Sequence, residues 1–538
     1  MERMRFIREL GRGLACGVLC LLFNTLLLPA QRVYYCAPTA DRSIIRQEFL
    51  GKAGSFYWVQ TVRNRRALRH STYPRVTEEE SFTIYDERMS IYNEILSFPY
   101  SNKTQKEYFV TGENYFDQVL LLGGEKKTSV FLHRYEPDGQ PMDAGRVIAV
   151  FPFEESGYNF LMIRSQDRER VLVLGFESVS QAAPRLHALL FDRDWQLLSS
   201  KVYVNASFSQ PIIQDDFSGF PLEDFDRGAV KLANNGQWLM AIPTRLDSNY
   251  LLCHFDAADT GVSYRKMRLP ASAAMEDVDV MVDNERGTAS AAVLSDYHNL
   301  ILKNVTVFHY SMSSKVIDFD TSYRFNTLVS GKLKDDGLVK ENFIAVPGKG
   351  FILLKEYGRS FTDLYGNEWG GESSIGDDQR WDPMAYFSGP DAPDKGVKSP
   401  VLRDGYARYN NLGALGNAHA RGDLNFFYFP STGRDSCWSA LISQEQVTEM
   451  NTPNLSYFVV PVKDRLYFLY NVLLRGQNLY ASTSVIDPQG NLHSDEGVLF
   501  WGFRNALRFQ QSRQLSDNEV VIPYAGGYGR DGFAVVRF

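Results

Sequence analysis

The stretch Leu186–Val204, LHALLFDRDWQLLSSKVYV, decides the fold. Its first half is an apolar run that ends at Phe191, and its second half alternates apolar and polar residues. Asp192 lies between the two halves, and its short side chain can accept hydrogen bonds from the backbone of a tight turn. The pattern therefore predicts two antiparallel strands joined by a short polar turn.

Similar apolar runs, each followed by a polar turn, recur along most of the chain. They end at the anchor residues Tyr85, Tyr135, Phe191, Phe255, Tyr310, Phe429 and Ile486. These anchors are 50, 56, 64, 55, 119 and 57 residues apart. A period of about 50 residues with several strands in each period is typical of a β-propeller. A pair of β-sandwiches would not repeat one turn at a near-constant spacing, and a right-handed β-helix would need a shorter period.

The anchors predict an all-β fold, a β-propeller of seven blades, and a weak unit near Tyr357 raises the count to eight. We assign residues 31–54 to a lead-in arm and residues 55–538 to the propeller. An open propeller would expose two sheet edges, so we expect the N-terminal and C-terminal strands to pair and close the ring.

Composition agrees with this fold and narrows the partners. Aromatic residues make up 13% of the 538 residues, which favours strands over helices. The formal net charge is -7. A weakly acidic chain without a basic stripe argues against nucleic acid as a partner.

The N-terminus has the pattern of a signal peptide. Four arginines precede an apolar run over residues 14–28, and Pro29 and Ala30 follow it. We assign residues 1–30 to a cleaved signal peptide, which predicts an exported protein that is periplasmic, cell-surface or extracellular. The alternative is an uncleaved anchor, which would attach the protein to a membrane. The apolar run is shorter than the ~20 residues of a typical spanning helix. The mature chain keeps Cys36, Cys253 and Cys437, which allow one disulfide at most.

The sequence has no convincing catalytic, metal or cofactor motif. Four histidines, each expected on the first strand of a unit, would diverge from the axis and lack a metal-ligand spacing: His133, His187, His254 and His309. Acidic clusters at residues 214–216, 223–226 and 276–283 lack the calcium-loop pattern. The stretch 431–438 has the residues of a sialidase box in the wrong order, and 371–376 misses the spacing of a serine-hydrolase elbow. We therefore assign no catalytic residue, no metal and no cofactor.

The segment 355–396 is the main departure from the repeat. It lies where the period doubles, and it is rich in Gly, Pro and Asp but also contains several aromatic residues. Long loops that keep aromatic residues are often functional, and such side chains can stack on sugar rings. We interpret the segment as a loop insertion whose side chains contact a ligand at the propeller mouth: Tyr365, Trp369, Asp377, Asp378, Arg380 and Trp381. Alternatively, these aromatic residues form a small satellite core.

In these patterns the chain resembles secreted β-propeller proteins of the seven- or eight-bladed kind, over residues 55–538. The resemblance implies a fold but no particular activity. Our first hypothesis is a binding or interaction module for a glycan, a peptide or a protein partner. The second is a glycoside hydrolase or lyase with paired carboxylates at the propeller mouth. A third, an envelope-anchored structural subunit, requires an uncleaved N-terminus.

Overall fold

A computed structural model describes 25 segments of the chain. They are residues 32–36, 44–66, 76–97, 104–124, 127–152, 158–177, 185–204, 230–243, 250–257, 261–269, 275–295, 304–324, 337–346, 350–361, 418–430, 438–442, 446–448, 457–462, 465–473, 479–486, 492–494, 506–509, 512–516, 518–526 and 530–538. These segments contain strands and turns but no α-helix. Accordingly, none of the described residues belongs to a helix with the length and apolarity that a membrane span requires.

The described strands form antiparallel sheets, and we number both the strands and the sheets in chain order. Sheet 1 contains β2 (Ile44–Ala53), β3 (Phe56–Arg66), β4 (Val76–Tyr85) and β5 (Ile91–Leu96). Sheet 2 contains β6 (Thr104–Thr111), β7 (Phe116–Gly123), β8 (Lys127–Tyr135) and β9 (Arg146–Pro152). Sheet 3 contains β10 (Tyr158–Arg164), β11 (Arg170–Glu177), β12 (Arg185–Asp192) and β13 (Leu197–Val204).

The next three sheets follow the same order. Sheet 4 contains β14 (Val230–Leu232), β15 (Trp238–Pro243), β16 (Tyr250–Phe255) and β17 (Val262–Met267). Sheet 5 contains β18 (Met275–Asp283), β19 (Thr288–Ser295), β20 (Asn304–Ser311) and β21 (Val316–Arg324). Sheet 6 contains β22 (Gly337–Val346), β23 (Gly350–Phe361), β24 (Ala418–Pro430), β25 (Trp438–Ile442) and β26 (Gln446–Thr448).

Two sheets belong to a second compact part of the chain, residues 1–39 with 456–538, whereas sheets 1–6 lie in residues 40–455. Sheet 7 contains β27 (Tyr457–Val462), β28 (Arg465–Leu473), β29 (Leu479–Ile486) and β30 (Leu492–Ser494). Sheet 8 contains β31 (Ala506–Leu507), β32 (Arg513–Ser516), β33 (Glu519–Gly526), β34 (Arg530–Arg537) and the N-terminal β1 (Arg32–Tyr35).

The predicted fold class is confirmed: the chain is all-β and built from successive four-stranded antiparallel sheets of the β-propeller type. The described residues form eight sheets, the larger of the two numbers that the sequence allowed. The predicted pairing of the chain ends is also present. Arg32 to Tyr35 pair with Arg537 to Ala534, so the N-terminal strand adds to the C-terminal sheet.

The recurring turn has one geometry in three sheets. All seven anchors lie at or next to the end of the third strand of a sheet. In sheet 3, Asp192 Oδ1 accepts hydrogen bonds from the backbone N–H groups of Asp194 (3.0 Å) and Gln196 (2.8 Å). The fourth residue after the anchor has a positive φ in each case: Met89 (60°), Gly139 (97°) and Trp195 (61°). The side-chain acceptor and this left-handed residue together reverse the chain within a few residues.

Successive sheets pack face to face. The second strand of sheet 3, β11, is buried on both sides from Val171 to Glu177, so it reads as a continuous apolar run rather than an alternating one. Buried clusters join sheets 1 and 2, sheets 2 and 3, sheets 3 and 4, and sheets 4 and 5. Another cluster joins sheets 7 and 8 within the second part. Sheets 2, 3 and 4 are thus each covered on both faces by their neighbours, as in radially stacked repeats.

Three details differ from the sequence analysis. The doubled spacing between Tyr310 and Phe429 contains one sheet, sheet 6, whose second and third strands are separated by residues 362–417. Tyr357 lies inside β23 of that sheet and does not start a further unit. Residues 32–35 and 44–53, which we assigned to a lead-in arm, are strands of sheets 8 and 1. The predicted signal peptide lies outside the described residues.

Candidate functional site

The connections of sheets 1–6 differ between the two ends of the strands. At one end, each first strand is connected to the second strand and each third strand to the fourth. The longest described connection at this end is residues 136–145. We call it the short-turn end. At the other end, second strands lead into third strands and each fourth strand leads into the next sheet. Residues 205–229 and 362–417 are both connections of this kind, so we call it the long-loop end.

The ligand-contacting residues that the sequence predicts lie within the second of these connections. Tyr365, Trp369, Asp377, Asp378, Arg380 and Trp381 fall in 362–417, outside the described residues. The strand ends Phe361 and Ala418 are paired with each other in the sheet. The connection therefore leaves and rejoins sheet 6 at the long-loop end.

At the long-loop end of sheet 3, a buried carboxylate is bound to an imidazole. Glu177 is the last residue of β11, and its Oε2 atom lies 3.0 Å from His187 Nε2. The Glu177 side chain is fully buried, and that of His187 is 5% exposed. The Arg185 guanidinium lies 3.9 Å from the same carboxylate oxygen and is 27% exposed. Two basic groups therefore hold this carboxylate, and Arg185 connects it with solvent.

Sheets 1 and 2 carry a second polar layer on their facing sides. Gln60 Nε2 donates to Glu80 Oε2 at 3.2 Å within sheet 1. Gln118 Nε2 donates to Glu107 Oε1 at 2.5 Å within sheet 2 and to Ser97 Oγ of sheet 1 at 3.3 Å. Carboxylates and amides of this kind are the groups that bind hydroxyl-rich ligands and also satisfy one another when buried.

The interface between sheets 2 and 3 has a further polar contact near this end. Lys106 Nζ and Tyr108 OH both donate to the backbone carbonyl of Phe160, at 3.1 and 3.0 Å. Lys106 and Tyr108 are on the first strand of sheet 2 and Phe160 is on the first strand of sheet 3. The first strands of the two sheets are therefore linked to each other near the long-loop end.

The short-turn end is dominated by aromatic packing instead. The Trp58 ring of sheet 1 stacks on Phe116 of sheet 2, with centroids 3.8 Å apart. Its Nε1 donates to the backbone carbonyl of Pro137 in the sheet 2 turn at 3.0 Å. In sheet 4, Trp238 and Phe255 are cross-strand partners and stack at 3.6 Å. The Phe255 contact shows how an aromatic anchor packs at this end.

A buried ion pair of sheet 2 accepts a hydrogen bond from sheet 3 at the short-turn end. Asp117 is fully buried, and its Oδ1 and Oδ2 accept from Arg134 Nε (2.7 Å) and an Arg134 terminal nitrogen (2.9 Å). Trp195 Nε1, from the turn of sheet 3, donates to Asp117 Oδ2 at 2.7 Å. Burial raises the pKa of Asp117, and the bonds from Arg134 and Trp195 oppose that rise. Sequence analysis could not identify this group because Asp117 and Trp195 are 78 residues apart in the chain.

The first turns of three successive sheets are also connected. Asn284 Nδ2 of sheet 5 donates to Gln166 Oε1 of sheet 3 at 3.0 Å. The Asn234 backbone N–H of sheet 4 donates to Asn284 Oδ1 at 2.8 Å, and Asn234 Oδ1 accepts from the backbone N–H of Asp167 at 3.2 Å. This end of sheets 3–5 is therefore a hydrogen-bonded framework that can support longer connections at the opposite end.

The four histidines lie on the third strand of their sheets, not on the first as the sequence analysis expected. They do not share one environment. His254 Nδ1 is 2.9 Å from Tyr310 OH of the next sheet, whereas His309 Nδ1 is 3.3 Å from Ser290 Oγ and its ring stacks on Phe319. Burial lowers the pKa of His309 to about 4, and Asp318 opposes that shift.

The described histidine, cysteine and acidic side chains are dispersed. Among the described residues no cluster of His, Cys, Asp and Glu side chains could hold a metal ion. Cys36 and Cys253 are buried free thiols, and burial raises the pKa of Cys36 to about 11. Cys437 lies outside the described residues.

Comparison with known proteins gives similar folds only. No family model and no curated protein matches the chain. The WD40 domain of SCAP from fission yeast has 8% identity and a TM-score of 0.36, with 94% of this chain and 98% of that chain covered. The β-propeller domain of the Trilobed protease from Pyrococcus furiosus has 8% identity and a TM-score of 0.32, with 88% and 98% covered. The polysaccharide lyase Uly1 has 8% identity and a TM-score of 0.30, with 92% and 99% covered.

Proposed function

We propose that the chain is an exported β-propeller that binds a glycan, a peptide or a protein partner at the long-loop end. The observation that carries the proposal is topological. Residues 205–229 and 362–417, the two long connections, both leave the sheets of residues 40–455 at this end. Binding residues are concentrated on such connections because a rigid scaffold positions them.

The described side chains support this choice of end. Near the long-loop end of sheets 2 and 3, Glu177 is bound to His187 and the Phe160 carbonyl accepts two hydrogen bonds, whereas the short-turn end is closed by aromatic packing and linked turns. In this proposal Tyr365, Trp369 and Trp381 stack on the ligand, and the charged residues Asp377, Asp378 and Arg380 bind its polar groups.

Glycan-array and polysaccharide pull-down measurements with the chain from Gln31 test the proposal. The informative variant is Trp369→Ala/Trp381→Ala. A matched control is Tyr92→Ala, because Tyr92 is an aromatic residue that is 57% exposed and lies at the short-turn end of sheet 1. We expect the double variant to lose binding and the control to retain it, with both still folded by circular dichroism. Equal binding by all three proteins would refute the assignment of the site.

Export is tested separately. N-terminal sequencing of the protein recovered from its native source is expected to begin at Gln31. An N-terminus at Met1 would contradict cleavage and leave the anchored form as the alternative.

The second candidate function is a glycoside hydrolase or lyase. The Glu177–His187 pair favours it, since a carboxylate that orients an imidazole is a common arrangement for proton transfer. Polysaccharide turnover that is lost in Glu177→Gln would support this function. Binding without turnover would exclude it and leave the binding module.

A further inference from the structure

The outer strand of sheet 3, β13, has an exposed apolar side. Its burial alternates along the strand, so that Leu197, Leu198, Ser200, Val202 and Val204 are exposed while Tyr203 is buried. We call these five exposed residues the β13 stripe. Val202 and Val204 are 51% and 61% exposed, and Leu197 and Leu198 are 47% and 46% exposed. Large apolar side chains in a continuous row are usually buried, so the exposure of this side of β13 requires an explanation.

The pairing register shows which way the stripe faces. Val202 pairs with His187 and Ser200 pairs with Leu189 of β12. Leu189 belongs to the buried cluster between sheets 2 and 3. Since paired residues lie on the same face of a sheet, the stripe faces sheet 2. The stripe extends past the buried cluster, to a place where sheets 2 and 3 no longer cover each other.

The stripe carries no charge. The one charged residue of β13, Lys201, points to the opposite side, where its Nζ donates to the backbone carbonyls of Asp256 and Ala257 of sheet 4 at 3.2 and 2.9 Å. Outer strands are usually protected by charged side chains. The outer strands of sheets 4 and 5 follow this rule: β17 contains Arg265 and Lys266, and β21 contains Asp318 and Asp320.

β13 also ends its sheet. The strand order of sheet 3 is β10-β11-β12-β13, so the described part of the chain places no strand on the far side of β13. An extended peptide can pair with such an edge through its backbone, and alternate side chains then pack on one face. The alternating stripe is suited to that mode because it offers apolar contacts at every second residue of the added strand.

The facing wall of sheet 2 adds a positive charge. Arg146 begins β9 and pairs with Leu132, which belongs to the same buried cluster, so Arg146 also faces sheet 3. Arg146 is exposed and makes no ion pair with any described residue. β9 begins at the short-turn end, as does β13. An antiparallel peptide on β13 would therefore bring its C-terminal residues toward Arg146, where an acidic group is favoured.

From these observations we propose that the β13 stripe and Arg146 form a docking groove for an extended peptide segment of a partner protein. The segment carries apolar residues at alternate positions and an acidic residue at its C-terminal end. This surface runs along the edge of sheet 3, whereas the residues predicted to contact the ligand lie in 362–417, and the proposal does not depend on that ligand site.

The probe is a synthetic peptide of alternating threonine and valine that ends in glutamate, capped at both ends and labelled for fluorescence anisotropy. It is titrated with the full chain. We expect saturable binding that Val202→Glu weakens at least about 10-fold, because a buried unpaired carboxylate would replace an apolar contact. The matched control is Val150→Glu on β9: Val150 is 43% exposed and pairs with Ser129 on the side of sheet 2 that faces sheet 1. This control is expected to bind like the wild type.

Two further measurements make the test specific. The same peptide ending in lysine is expected to bind more weakly to the wild type, and Arg146→Glu is expected to reverse that preference. No saturable binding by the wild type, or equal binding by Val202→Glu and Val150→Glu, would overturn the proposal. A concentration-dependent dimer in sedimentation velocity that Val202→Glu abolishes would assign the surface to a second copy of the chain and would also overturn it.

Discussion

Substituting Asp117 with Asn should destabilise the protein through its buried ion pair with Arg134 of the same sheet. The change keeps the shape of the side chain but removes its charge. Asp117 accepts three hydrogen bonds, two from Arg134 and one from Trp195, and it is fully buried. Breaking a buried pair by neutralising one partner typically costs 3 to 5 kcal/mol. Arg134 is 16% exposed and keeps Asp194 at 3.8 Å, so we expect the lower end, about 3 kcal/mol.

Urea unfolding followed by circular dichroism measures this loss. Asp194→Asn is the matched control, because Asp194 contacts the same guanidinium but its side chain is 59% exposed. Exposed pairs contribute about 0 to 1 kcal/mol, so the control should unfold close to the wild type. Trp195→Phe should cost roughly 1.5 to 3 kcal/mol in the wild type, as expected for a hydrogen bond to a charged group. It should cost less in Asp117→Asn, because the two residues share one interaction.

The reasoning would be refuted if Asp117→Asn and Asp194→Asn had the same midpoint of unfolding. An additive double variant of Asp117 and Trp195 would show that the tryptophan acts through its ring packing on Phe191, whose centroid is 5.4 Å away, rather than through its N–H group.

Three other predictions follow from single contacts. The pKa of His309 is about 4 in the folded protein against about 6.5 in the unfolded chain, so the unfolded state binds a proton first as the pH falls. Relative to His309→Asn, wild-type stability should therefore fall by about 3 kcal/mol between pH 6.5 and pH 4. Urea unfolding at a series of pH values measures this difference. Gly139→Ala should lower the melting temperature more than Gly287→Ala, because both glycines have positive φ but only at Gly139 would the new Cβ lie 2.4 Å from Ile84 Cδ1. Tyr524→Phe removes the 2.6 Å bond from Tyr524 OH to the Cys36 carbonyl and should cost about 1 kcal/mol, with faster amide exchange at β1.

The outcomes that would contradict these three predictions are distinct. A parallel fall of both proteins with pH would show that His309 does not titrate between the folded and unfolded states. Equal melting temperatures for the two glycine variants would show that Ile84 moves aside at no cost. Unchanged exchange at β1 would show that the hydroxyl does not hold the N-terminal strand.

The repeat could be predicted because its signal is local. Asp192 and the residues around it form their turn within one short stretch, so the sequence pattern alone indicates the hairpin. The anchors were recognisable for a related reason: an aromatic residue at the end of the third strand packs against the preceding sheet, as Tyr135 and Phe191 do. The period then gave the fold class.

Contacts between particular distant residues could not be predicted, although the pairing of the chain ends was. Sheet 8 takes four strands from one stretch near the C-terminus and β1 from the N-terminus; the need to protect the sheet edges predicted this pairing but not its register. The histidines were placed two strands too early because the units were counted from the anchor strand, which is the third strand of each sheet. Glu177 and His187 appeared unrelated in sequence, since only the register of β11 and β12 brings them together.

The N-terminal strand of sheet 8 has a consequence for folding during synthesis. Arg32–Tyr35 emerges from the ribosome before the other described strands, yet its partner Arg530–Arg537 is made last. The strand must therefore wait, with its backbone groups unpaired, while the rest of the chain is produced. Closing so long a chain segment is entropically costly and slow, so the final sheet should form late. A delay at this step leaves an open strand edge, which is the feature most prone to association between nascent chains.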